Sequence, residues 1–346
     1  MKNFKFKKLF GLFFLAALLV SFSGCSSSDD EGSGNPPTIE SVSAAADTEL
    51  APITIGYADN VYIIRGSGFT SLQKIYFNET DTYFNPAFVT DSAIFVTIDR
   101  NTPYANTTNE LKVVTANGTA VFNFTVAPPA PQVDSYNSIN AQAGDVITIY
   151  GSFFLNPTVT IGDTPATIQS STETEIQALV PAGSNRKLVT VTTISGSDTA
   201  SQPIGTAIYD DTYASFVENW LGPWDGSGFT VDTENKIQGA SSIKATFTGY
   251  TGFKIPMYNS PASTAGYSGI RVSFKSTKES GKFKVVLNGN YGAGKEISFT
   301  NQWTSFVIPF SDLGGAPDTI NEIVLQEFAN GGGDVLYIDD VGFVLQ

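Results

Sequence analysis

The segment Val61-Tyr62-Ile63-Ile64-Arg65-Gly66-Ser67-Gly68-Phe69 recurs as Val146-Ile147-Thr148-Ile149-Tyr150-Gly151-Ser152-Phe153-Phe154, 85 residues further on. Ile75-Tyr76-Phe77-Asn78 recurs as Val159-Thr160-Ile161-Gly162 at an offset of 84, and Pro37-Thr38-Ile39-Glu40-Ser41 matches Pro131-Gln132-Val133-Asp134-Ser135. Three blocks matched in the same order mean two tandem copies of one small domain, which constrains the fold more than any other feature of the chain. Within each copy short alternating apolar and polar runs read as half-buried strands. Turn signals separate them at intervals of about ten residues, as a β-sandwich requires. Gly66 and Gly151 are expected to end a strand where the chain bends sharply.

The rest of the composition agrees with an all-β chain. Only 15% of the 346 residues are charged. Thr, Ser, Asn, Gly, Val, Ile and Phe are plentiful, and long Leu-Ala-Glu-Lys stretches are missing. The length allows two or three domains with cores of their own. There is no histidine, and Cys25 is the single cysteine. Ser-His-Asp and Cys-His nucleophile systems, imidazole bases, His- or Cys-ligated metals and intrachain disulfides are therefore excluded, leaving carboxylates, hydroxyls, Lys and Tyr for any chemistry.

Cys25 follows a leader with Lys2, Lys5, Lys7 and Lys8, an apolar run from Leu9 to Val20, and Ser21-Phe22-Ser23-Gly24. The apolar run is too short for a permanent membrane span and reads as an export signal. Gly24-Cys25 resembles the bacterial lipobox, with Phe22 in place of the usual Leu. The resemblance implies a signal peptide over 1–24 and a diacylglyceryl group on Cys25, and the Ser-, Gly- and acid-rich composition that follows reads as a flexible acidic tether over 25–35. An ordinary secretory signal with an incidental cysteine is the alternative. The tract Ser26-Ser27-Ser28-Asp29-Asp30-Glu31 resembles the signal that places lipoproteins on the outer face of the outer membrane in glycan-foraging Gram-negative bacteria, and it serves equally as a solvated linker. Removing the four leader lysines leaves 15 cationic against 33 acidic side chains, a net charge of −18. Nucleic acid and anionic lipid surfaces are poor partners for such a chain.

Residues 36–128 and 129–206 resemble the immunoglobulin-like IPT/TIG domain. The resemblance rests on a Pro-x-Ile-x-Ser start, a strand ending in Gly-x-x-Phe, and late hairpins at Val113-Val114-Thr115-Ala116-Asn117-Gly118 and Val191-Thr192-Thr193-Ile194-Ser195-Gly196. Pro128-Pro129-Ala130-Pro131 joins the copies, and its prolines make a semi-rigid link.

Residues 207–346 differ in texture, holding Trp220, Trp224 and Trp303 among many Gly, Tyr and Phe. Ile243, Ala245 and Phe247 share one strand face, as do Ile270, Val272 and Phe274, and Phe283, Val285 and Leu287. A two-sheet sandwich is expected. Ile208-Tyr209-Asp210-Asp211, the run from Trp303 to Leu313, and Leu336-Tyr337-Ile338-Asp339-Asp340-Val341 resemble a carbohydrate-binding jelly roll in which the last two, Trp303 included, are framework. Sugars need flat aromatic faces for axial C–H groups and planar polar groups for hydroxyls. Trp220 and Trp224, in a Gly- and Asp-rich loop, either line a ligand face or pack beneath the loop. Tyr250, Phe253, Tyr258 and Tyr291 are further aromatic candidates. Asn288 and Asn290 supply polar contacts or form an ordinary Asn-Gly hairpin turn. Asp210, Asp211, Asp339 and Asp340 are candidate ligands for a structural Ca²⁺, Asp340 having inward parity if Leu336 and Ile338 face the core. No cofactor is otherwise required.

The whole order resembles non-catalytic surface glycan-binding lipoproteins that work beside SusC/SusD-type transporters. This implies a lipid-anchored protein exposed on the outer membrane that captures a β-linked polysaccharide. An adhesin or structural protein that binds a protein partner is the alternative. A glycosidase using carboxylates such as Asp225, Asp232, Glu234 or Glu327 is a third reading, disfavoured by the short segment and the missing paired-carboxylate motif.

Overall fold

The computed structural model describes residues 34–219, 222–223, 228–328 and 333–346, which form strands, turns and three short 3₁₀ segments with no α-helix. Cys25, the leader, Trp220, Trp224 and Asp225 fall outside these residues. Three hydrophobic cores follow one another along the chain.

In the first unit Thr38–Ala44, Val61–Ser67 and Ala93–Thr97 pair in that order into one antiparallel sheet. Thr80–Asp81, Leu72–Phe77, Glu110–Thr115 and Gly118–Asn123 make the other. Alternate residues turn inward, so Tyr62, Ile64, Ile94 and Val96 meet Ile75, Phe77, Leu111 and Val113 around Phe69 and Phe124. The second unit places Gln132–Asn137, Val146–Ser152 and Glu175–Leu179 in the equivalent order, and Thr158–Ile161, Val189–Thr193 and Gly196–Thr199 opposite. Here Thr164–Ser171 joins both groups. Its first residues pair with Thr158–Ile161 and its last with Glu175–Leu179.

The structure explains the repeated glycine differently from a bend. Gly66 and Gly151 lie inside strands, opposite a bulge in the first strand of each copy, between Ile39 and Ser41 and between Val133 and Ser135. A Cβ on Gly66 would overlap the Thr38 carbonyl oxygen and stand 2.8 Å from the Phe69 ring. On Gly151 it would overlap the Gln132 carbonyl and stand 2.5 Å from the Phe154 ring. Gly-x-x-Phe is thus a packing lock, in which the absent side chain lets the buried phenylalanine and the first strand close together. Gly151→Ala is expected to destabilise the second unit by about 1–3 kcal/mol or more, because backbone must move to admit one methyl. Chemical denaturation of wild type and variant measures the difference.

The third unit is a two-sheet sandwich. Thr212–Tyr213, Ala207–Asp210, Asp334–Leu345, Ser242–Phe247 and Gly228–Asp232 pair in order, and Tyr267–Ser276 bonds both Asp334–Leu345 and Thr304–Pro309. The second sheet runs Gly222–Pro223, Gly252–Pro256, Glu322–Glu327, Gly281–Leu287, Lys295–Phe299. The inward faces named from the sequence alternation, Ile243/Ala245/Phe247, Ile270/Val272/Phe274 and Phe283/Val285/Leu287, all lie in one core between the sheets. Trp303 is half-buried just before Thr304–Pro309.

No flexible linker separates the second and third units. Ala207 belongs to one core and Ile208 to the next. Between the first and second, the Tyr104 hydroxyl donates to Glu173 Oε2 (3.0 Å) and the Ser195 hydroxyl to the Pro128 carbonyl (2.7 Å).

Candidate functional site

The five-stranded sheet turns one of its two sides to the core. Period two sends Phe253, Ile255, Ile323, Leu325, Phe283 and Val285 inward. Lys254, Val324, Gln326, Lys284 and Val286 therefore belong to the opposite side, where Lys254 stands opposite Val324, Val324 opposite Val286, and Gln326 opposite Lys284; there the two valines are fully buried and the two lysines and Gln326 half-buried.

Exposed tyrosines sit at both ends of this face. Tyr250 precedes Gly252–Pro256 with φ of 59°, and Tyr258 follows it. They are 50% and 45% exposed. The strand between them spans about 15 Å, at roughly 3.3 Å per residue. Tyr250 is fixed through its backbone, its N–H donating to Glu327 Oε2 (2.9 Å) and its carbonyl accepting from Gln326 Nε2 (3.0 Å). Its ring meets Phe328 edge-on, with centroids 6.3 Å apart, and Lys284 Nζ lies 4.8 Å from the Phe328 ring centre. At the other end the Tyr258 hydroxyl donates to Glu322 Oε2, and Lys254 Nζ reaches the same oxygen at 2.6 Å. That hydrogen bond and the charge of Glu322 raise the Lys254 pKa above its usual value, so the ammonium stays charged. Burial, followed by the same carboxylate, raises that of the Tyr258 hydroxyl.

The Asn288–Tyr291 turn reaches the Tyr258 end, since a Cβ on Gly289 would lie 3.4 Å from Glu322 Oε1. Asn288, at φ of 49°, uses its own amide to hold the turn. Its Oδ1 accepts from Asn321 N–H (2.7 Å) and its Nδ2 donates to the Thr319 carbonyl (2.8 Å). Asn290 is exposed, and Tyr291, 42% exposed, opens the 3₁₀ segment Tyr291–Ala293. Trp220 and Trp224 lie outside the described residues.

Phe253 is a correction. It is wholly buried, edge-on to Phe229 at 5.5 Å, because it occupies an inward position of its strand. Phe328, Lys254, Lys284, Gln326 and Glu322 were not singled out from the sequence, although the alternation that puts Phe283 and Ile255 inside already sends Lys284 and Lys254 out.

The four aspartates are a second correction. Among the described residues no group of three or more Asp, Glu, His or Cys side chains could hold a metal ion. Each of the four carboxylates is held by protein donors. Asp210 accepts from Ile139 N–H (2.6 Å) and Gln238 Nε2 (3.0 Å), Asp211 from Ala240 and Ser241 N–H (both 2.7 Å), and Asp339 from Ile237 and Asp340 N–H (3.0 and 2.8 Å). Asp340 does not continue the parity of Leu336 and Ile338. A register shift opposite Arg271/Ser273 and a φ of 57° turn it out of that core, toward the second unit, where it pairs with Arg271. Arg271 also donates to Thr206 Oγ1 (3.1 Å), the Phe343 carbonyl (2.6 Å) and Gln202 Oε1 (3.1 Å), so these groups knit the joint between units.

Burial pushes the Asp210 carboxyl up to about 6 and that of Asp339 to about 7. A carboxyl whose folded value exceeds its unfolded one stabilises below about pH 4, and that contribution is lost as pH rises through the folded value. The melting temperature is therefore expected to fall between pH 5 and pH 8, and calcium or EDTA to leave it unchanged. A calcium-dependent rise at pH 8 would restore the metal site.

Residues 131–208 match the family model described as IPT/TIG domain. That segment is an IPT/TIG domain. The first unit shares its opening three-strand order, bulge and Gly-x-x-Phe lock. An IPT/TIG domain-containing protein of Bacteroides ovatus is 25% identical over 152 residues, 41% of this chain, and the chain covers 30% of that relative's length. The solved surface glycan-binding protein PbSGBP-B of Prevotella bryantii superposes over 90% of this chain and 99% of its own, with a TM-score of 0.51 and 16% identity. The chain shares its fold, a succession of β-sandwich units.

Proposed function

We propose that this chain is a non-catalytic polysaccharide-binding lipoprotein of the cell surface. In this reading Cys25 carries the lipid at the outer membrane. The units over 36–128 and 129–206 hold the terminal unit away from it, and the unit over 207–346 captures a β-linked polysaccharide for a SusC/SusD-type transporter. One observation carries the reading: Tyr250 and Tyr258 stand exposed at the two ends of one sheet face, with the Lys254–Glu322 pair and Gln326 between them. Flat rings flanked by charged and amide side chains suit an extended glycan, whose C–H faces pack on aromatics while its hydroxyls find polar partners. The fold shared with a protein named for surface glycan binding supports it.

Two of the carboxylates that a glycosidase could use are otherwise engaged. Asp232 accepts the N–H groups of Glu234 and Asn235 in its own turn, and Glu327 is fully buried beneath Tyr250. Calorimetric titration of the full chain against soluble plant and microbial polysaccharides, with reducing ends assayed in the same samples, tests the proposal. Binding without released sugar is the expected result. Released sugar would make the protein an enzyme, and silence across the panel would favour an adhesin.

A further inference from the structure

The first unit carries an aromatic groove that its fold does not require. Beyond Asp81 the chain leaves the sheet and turns through the 3₁₀ segment Pro86–Phe88, capped by Asn85 Oδ1 accepting from Ala87 N–H (3.0 Å). It then lays Phe88 against Phe95 of the edge strand, with centroids 6.4 Å apart. Tyr83 is 83% exposed, Phe88 59% and Phe95 42%. With Val61, Asn85 and Thr97 they border a groove of about 440 Å³, a size typical of small-molecule sites.

The second unit provides an internal comparison. The pair Ile63 opposite Phe95 corresponds there to Thr148 opposite Gln177, and Val61 opposite Thr97 to Val146 opposite Leu179. Where the first unit has its aromatic loop, the second has the strand Thr164–Ser171, which contains no aromatic residue. The same sandwich closes without these rings, so their exposure calls for a partner.

The lining identifies the kind of partner. No charged side chain borders the groove, although the chain has 33 acidic and 19 basic residues. The rings offer flat apolar faces, while Asn85, Thr97 and the Tyr83 hydroxyl offer hydrogen-bonding groups. An uncharged ligand with C–H faces and many hydroxyls fits that mixture better than a charged protein surface. We propose that this groove is a second glycan-binding site, taking a neutral β-linked polysaccharide. The ligand class rests on the function proposed above, while the site is independent of the face on the third unit. Two sites on one chain would hold a long polymer more tightly than a short oligosaccharide, by avidity alone.

The test uses the full chain and three variants: Tyr83→Ala/Phe88→Ala, Tyr250→Ala/Tyr258→Ala, and all four together. Each is titrated with oligosaccharides of β-glucan, xyloglucan and xylan and run through gels containing the parent polymers. The expected stoichiometry is two for wild type, one for each double variant and zero for the quadruple. Polymer affinity should weaken at least about tenfold in the Tyr83/Phe88 variant. Circular dichroism checks that these exposed substitutions leave the fold intact. A wild-type stoichiometry of one that the Tyr83/Phe88 variant retains overturns the second site while leaving the proposed function standing. A change of sedimentation from dimer to monomer in that variant would assign the groove to a second copy of the chain and also overturn it. Binding to none of the glycans overturns both. One remaining site in the Tyr250/Tyr258 variant that disappears in the quadruple supports the groove.

Discussion

Arg271→Ala is expected to lower the stability of the chain by about 3–5 kcal/mol, the range for removing one partner of a buried ion pair. Arg271 and Asp340 are each 8% exposed. Alanine would take the cation away from Asp340 and the guanidinium donors from the Phe343 carbonyl, Thr206 and Gln202. Gly342 is part of the same arrangement, because a Cβ there would stand 2.5 Å from Arg271 Cζ. Lysine keeps the charge but lacks the planar fork that reaches several acceptors at once, so Arg271→Lys should recover only part of the loss. Differential scanning calorimetry is the measurement, and the third unit is expected to melt as a separate, earlier transition in the alanine variant. An unchanged single melting profile would mean that the joint contributes nothing to coupling the units.

The second large effect is expected at the outer face of the third unit. Tyr250→Ala and Tyr258→Ala should each weaken glycan binding by more than about thirtyfold, as loss of a binding hot spot of about 2 kcal/mol does. Neither should shift the melting temperature by more than a degree or so, since both rings stand about half exposed. Phe253→Ala, five residues from Tyr258, is expected to do the opposite. It would cost about 3–5 kcal/mol of stability, because it empties a fully buried position. Titration calorimetry and thermal melts on the three variants separate the two kinds of residue. Full affinity in both tyrosine variants would remove this face from the site.

Much of the architecture was legible because a sandwich writes itself into sequence locally. The repeat, the period of two and the turn residues identified two sandwiches and a third, and three strand faces of the terminal core were named correctly. The position of Gly151 was legible but its role was not. The reason for it is the Gln132 carbonyl, brought in by a strand pairing that no local pattern specifies. Phe253 and Tyr258 look equally promising as aromatic residues, and only strand parity separates a core ring from a surface one. Asp340 failed for the converse reason. Its parity was read across a bulge, and one residue in the left-handed region reverses which side of a strand faces the core. Its true partner, Arg271, is 69 residues away, and pairings over such distances in the chain are set by the packing of whole units.

The passage from Ala207 to Ile208, one core to the next without an intervening residue, has a mechanical meaning. A pull on the third unit would meet no slack to take up. It would load the buried bonds around Arg271 and Asp210 directly and pass at once into the second unit. A chain built this way acts as a stiff lever: whatever direction its terminal face points, the IPT/TIG domain behind it points it there, and a ligand held at the tip would be steered by the base.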